Sequence, residues 1–238
     1  MKNIIIPIFF LIISFFTVSC KKDDPLIEPT DKNSGCKIEF IKQYPEFSDK
    51  LSTLLRASKD LNYEIGYIIY PAKGGVRYQQ IEGSADAASI ILTPQEQMIG
   101  LMHSHYNNLY PNFSGSDIRS IIDAYYAEKI NDYQTFFITV VSSLETSYLL
   151  KISDLNKFIN FSNLNLIEKN SFLDFESRYH NLQQSQEHNL GLKLSFEMAL
   201  LHLLKDSGLS LYKSDYPFKY WNILHLNTDN KVQQTSCL

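Results

Sequence analysis

Along residues 46–61 the apolar side chains fall at Phe47, Leu51, Leu54, Leu55 and Leu61, a spacing that gathers them on one helical face. That pattern predicts a surface helix, with Ser48 available as its N-cap. The period then shortens. Residues 64–70, 75–82 and 88–92 read as strands, the first two joined by a turn over 71–75 that holds Pro71, Gly74 and Gly75. A fourth strand spans 98–105, and its apolar first half, Met98 to Met102, is suited to burial. A helix is expected from Ser114 to about Glu128, followed by strands at 133–141 and 146–152 around a turn at 142–145. Further on, residues 171–187 and 191–206 read as helices. Residues 213–238 carry Trp221 in an aromatic cluster and close in a polar tail. The sum is an α+β chain: a mixed sheet flanked by helices over residues 45–152, with a helical C-terminal extension over 153–238.

The N-terminus follows different rules. Residues 4–16 form an apolar run behind a short positive lead with Lys2, too short to span a bilayer comfortably, and read as the core of a signal peptide over residues 1–19. Cys20 ends that run and resembles the lipid-acceptor Cys of a bacterial lipoprotein, although Thr17 stands where Leu is usual. The other reading is an ordinary secretory signal with an incidental Cys. Lys21-Lys22-Asp23-Asp24 is similar to the Lys-then-acidic surface-export tag of lipoproteins in the Bacteroidota. Residues 20–44 would then begin as a polar tether, and the domain would sit in the cell envelope, lipid-anchored at the outer membrane or cell surface.

The 238 residues suffice for one well-filled core, and 44% hydrophobic with 20% charged content excludes wholesale disorder. The net charge is −4, and loss of residues 1–19 with Lys2 makes it more negative. With no Lys/Arg stripe, nucleic acid is not an expected partner. Of three cysteines, Cys36 and Cys237 remain once Cys20 is assigned to lipid; the residues alone leave open a disulfide or two free thiols.

The chemistry concentrates in His103-Ser104-His105 and the following Pro111, Ser114 and Asp117. On a strand, residues i and i+2 share a face, so both imidazoles project together while Ser104 points away. Asp117 arrives early on the next helix, and Ser114 with Asp117 also fits a variant of the helix capping box. Two His and one Asp give the three protein ligands of a catalytic zinc with a position left for water.

This segment resembles the JAMM motif of MPN-domain metalloproteases: His-x-His, a short loop with Pro, then Ser-x-x-Asp. The resemblance covers about residues 45–152. It implies an MPN-like, cytidine-deaminase-like sheet, Zn²⁺ on His103, His105 and Asp117, Ser114 as a donor to the oxyanion, and a catalytic Glu on an earlier strand. Glu64 is the candidate for that Glu, with Glu82 as second choice. The sequence departs twice from the pattern: Gly66 follows Glu64 by two residues where three is common, and Tyr106 stands where Pro often follows the second His. The implied activity is hydrolysis of an amide in a peptide or protein substrate outside the cytoplasm. The alternative is a non-catalytic binding or structural lipoprotein on the same scaffold. His180, His188, His202 and His225 fall outside the motif and are not assigned to metal.

Overall fold

The computed structural model describes residues 36–85, 89–107 and 109–237; Cys20, the signal and most of the tether lie outside them. Among the described residues, eight strands form one mixed sheet in the order β2-β1-β3-β4-β5-β6-β7-β8. Their ranges are β1 Ile65–Ala72, β2 Gly75–Glu82, β3 Gly100–His105, β4 Phe137–Ser142, β5 Thr146–Ile152, β6 Leu209–Asp215, β7 Trp221–Leu226 and β8 Val232–Cys237. Only β3 and β4 pair in parallel; the other neighbours are antiparallel. A parallel pair needs a crossover, and helix α2, Gly115–Tyr126, supplies it. The β3–α2 junction therefore lies beyond the carboxyl end of a central strand, a common place for sites in such units.

Each face of the sheet has its own core. On one side packs α1, Phe47–Asp60, with the short 3₁₀ helix Glu39–Gln43; Leu51 and Leu54 are fully buried against Met102, Phe137 and Leu149. Each such leucine contributes about 2 kcal/mol by leaving water. On the other side lie α2, α3 (Leu155–Asn165), α4 (Lys169–Leu190) and α5 (Leu192–Leu203). Every residue of β4 and β5 is buried, which explains why they read so clearly as strands. Gly191 breaks α4 from α5 with φ 75°, a left-handed value that a side chain would resist. A buried ion pair fastens α5 to the sheet: Lys213 Nζ lies 2.9 Å from Glu197 Oε1, which also accepts from the Tyr148 hydroxyl at 2.6 Å. Burial first, and then the Glu197 charge, push the Tyr148 hydroxyl well above its ordinary pKa.

Several expectations from sequence need correction. Helix α1 starts from Glu46, at φ 60° and without a side-chain cap, so Ser48 is not its N-cap. Residues 89–92 form no strand; Ile91 is exposed, while Ile90 and Leu92 line a cavity. Helix α3, capped by the Asp154 side chain on the Lys157 N–H at 3.0 Å, was not expected. The C-terminal extension is not simply helical, because β6, β7 and β8 follow its helices and widen the sheet. The polar tail is an edge strand: β8 is mostly exposed, so it carries no apolar alternation to read.

Cys36 and Cys237 are joined as a disulfide, with Cα atoms 5.3 Å apart, tying the start of the described chain to β8. That bond points to an extracytoplasmic location. Among the described residues, no helix is long and apolar enough to cross a membrane. Closing 201 residues of separation removes entropy from the unfolded chain worth about 5 kcal/mol at most. Reduction, or Cys36→Ser, is expected to lower the unfolding free energy by about 2–5 kcal/mol, as read from urea titrations of oxidised and reduced protein.

Candidate metal centre

The strand β3 alternates strictly. Leu101, His103 and His105 face the α2 side, and Met102 and Ser104 face α1. Ser104 is fully buried, and its hydroxyl holds the start of β1: it accepts from the Ile65 N–H at 3.1 Å and donates to the Ile65 carbonyl at 3.3 Å. One step along, Gly66 pairs with His103 across the antiparallel ladder. A Cβ at Gly66 would stand 2.6 Å from the Met102 carbonyl oxygen and 3.2 Å from His103 Cβ, so the close approach of β1 to the histidine strand requires glycine.

Asp117 comes from the first turn of α2. Ser114 caps that helix reciprocally: Ser114 Oγ accepts from the Asp117 N–H at 3.2 Å, and the Ser114 N–H donates to Asp117 Oδ2 at 2.7 Å. The Ser114 hydroxyl also donates to Oδ2 at 2.8 Å. The cap thus fixes the carboxylate as well as the helix start.

His103, His105 and Asp117 converge as a group that could hold a metal ion. His103 Nε2 lies 3.0 Å from His105 Nε2 and 3.0 Å from Asp117 Oδ1, and His105 Nε2 lies 3.4 Å from Asp117 Oδ2. The two histidines reach Asp117 through different oxygens, and each of these distances lies close to the about 3.3 Å that separates two ligands of a tetrahedral zinc at about 2.0–2.1 Å. The tautomer fits as well. His105 Nδ1 is 2.8 Å from the Tyr110 carbonyl, which only accepts, so Nδ1 carries the proton and Nε2 offers its lone pair to the centre.

Glu64 immediately precedes β1 and is buried, with Oε1 3.8 Å from His105 Nε2. Burial raises its carboxyl pKa, partly offset by His103 and His105, while Asp117 raises it further. Burial also opposes charge on Asp117, but the two imidazoles outweigh it and hold that carboxyl well below its ordinary range. For His105 burial disfavours the cation, yet the Asp117 and Glu64 carboxylates and the Tyr110 carbonyl raise its pKa overall. Glu82, the second candidate acid, is exposed, bonded to Gln80 at 2.9 Å, and does not line the cavity.

The group opens into a cavity of about 380 Å³ that Glu64, Ser114 and all three ligand residues line. Four contributors here carried little sequence signal. A lone Gly66 in an apolar strand hinted at close approach, whereas Ser104, the Tyr110 carbonyl and Glu176 of α4 gave none.

The shifts set a pH window for metal-free protein. Asp117, depressed, contributes stability that is complete above its ordinary value of 3.8 and is lost as pH falls through its lowered pKa. His105, raised, contributes stability that is complete below its ordinary 6.5 and is lost as pH rises through its raised pKa. The stability difference between wild type and Asp117→Asn is therefore expected to peak between 3.8 and 6.5 and to shrink on either side, as read by urea unfolding at several pH values in chelator.

No protein-family model matches this chain, and no curated protein matches it significantly.

Proposed function

We propose that this chain is a zinc-dependent metallopeptidase of the JAMM type on an MPN-like scaffold, cleaving an amide in a peptide or protein outside the cytoplasm. The observation that carries the reading is the buried Glu64 carboxylate, 3.8 Å from His105 Nε2 and in the same cavity as the ligand group. Zinc held by His103, His105 and Asp117 would supply a Lewis acid with a position open to water. Glu64, its pKa raised by burial, takes a proton from the attacking water and returns it to the leaving amine. Ser114 lines the same cavity; its hydroxyl, which donates to Asp117 Oδ2 at rest, would turn to donate to the developing oxyanion while the Ser114 N–H keeps its hold on Oδ2. The His105 ring keeps its orientation through Tyr110, so the lone pair stays aimed while protons move. The disulfide supports a place of work outside the cytoplasm, to which acylation of Cys20 would tether the chain.

Purified protein reconstituted with zinc is expected to hold about one ion per chain, and His103→Ala none above background, by elemental analysis. Glu64→Gln is expected to keep the ion and lose about two to four orders of magnitude in hydrolysis of a fluorogenic peptide library. No zinc in the wild type would refute the centre. Zinc without hydrolysis would leave the non-catalytic envelope protein. For the tether, Cys20→Ser is expected to move the protein from the membrane to the soluble fraction; a variant still membrane-bound with an uncleaved N-terminus refutes the lipid anchor.

A further inference from the structure

The cavity over the ligand group takes two charged side chains from outside the His103–Asp117 segment, Glu64 and a second from α4. Glu176, in the first half of α4, lines it together with Phe172. Its carboxylate lies against Gly115 at the first turn of α2, next to Ser114. The packing is close enough that a Cβ at Gly115 would collide with Glu176 Oε1. Glu176 also couples electrostatically with Asp117 and Tyr110.

Charge bookkeeping then favours one kind of occupant. Among the described residues lining the cavity, Glu64, Asp117 and Glu176 are acidic, and no Lys or Arg is present. The cation beside Phe172 is Arg119, and it is occupied: it lies over the Phe172 ring and 3.7 Å from Asp123. A divalent ion on the two histidines would offset Asp117 and Glu64, leaving the Glu176 charge unbalanced. The rest of the lining is mainly apolar, with Ile81, Ile90, Leu92, Leu101 and Ile138. Such a lining suits an aliphatic stem that ends in a positive group.

We propose that Glu176 is a specificity-determining residue of this cleft, selecting substrates with a cationic side chain beside the amide to be cleaved. The inference rests on the peptidase reading above. Glu176 takes no part in the proton transfers; its charge holds the substrate's ammonium or guanidinium group.

The test measures binding, not turnover. Nα-acetyl hydroxamates of lysine, norleucine and glutamate share a metal-chelating head and differ only in the side chain. Calorimetry on the zinc-loaded chain is expected to rank lysine tighter than norleucine by roughly tenfold, with glutamate weakest. Glu176→Gln keeps the size and shape of the side chain but removes the charge, so it should bring lysine and norleucine within about twofold. Equal binding of lysine and norleucine by the wild type, or a preference that survives in Glu176→Gln, overturns the role of Glu176 while leaving the metal cleft intact. Failure of all three hydroxamates to bind overturns the peptidase reading and this inference with it. If Glu176→Gln does not fold, the wild-type ratio decides alone: it must fall towards one as salt is raised, and a ratio indifferent to salt refutes the charge.

Discussion

The reciprocal cap between Ser114 and Asp117 is the constraint on which the centre depends. A buried carboxylate facing two imidazoles is costly unless its oxygens are satisfied and its position is fixed. Here one oxygen is held by the Ser114 N–H and hydroxyl, and the other turns to His103. The same two residues start the helix that carries the chain from β3 to β4, so the step that makes the crossover also aims a candidate metal ligand. A broken cap would loosen the helix start and the carboxylate together, and the histidines would face an uncertain partner.

Around that corner the sheet supplies rigidity. β4 and β5 are buried throughout, with helices on both faces, so β3 has a firm neighbour along its whole length. The strands after α5 lengthen the platform instead of forming a separate body, and the disulfide ties the outermost of them back to the start of the described chain. The α4–α5 pair, locked through Glu197, Lys213 and Tyr148, then has a fixed seat from which α4 reaches the cavity. Buried ion pairs add little net stability, but losing one partner leaves an unpaired buried charge, so this one specifies where α5 sits.

Legibility in the sequence followed burial and local spacing. The period-two placement of His103 and His105 is a property of any strand, and Ser114 to Asp117 is a local cap, so both could be read along the chain. β5 is fully buried, and its expected range matches the structure. β6 was hidden because Lys213 and Ser214 are buried polar residues inside it, and β8 because an edge strand needs no apolar face. Glu176 could not be found by spacing at all. It reaches the cavity only through tertiary packing of α4 against α2, and nothing near it in sequence marks a site.

The two-residue step from Glu64 to Gly66 has its reason in the register of β1 on β3. Gly66 stands opposite His103 in the antiparallel pair. Continuing that register sets Ile65 opposite Ser104 and Glu64 opposite His105. The Ser104 hydroxyl does hold both backbone groups of Ile65, and Glu64 Oε1 does lie beside His105. Because side chains alternate, two residues is a separation that keeps the acid and the glycine on one face of β1. Three residues would set them on opposite faces unless a bulge intervened. The glycine lets the strands approach, the serine fixes their ends, and the acid follows from the register that those two impose.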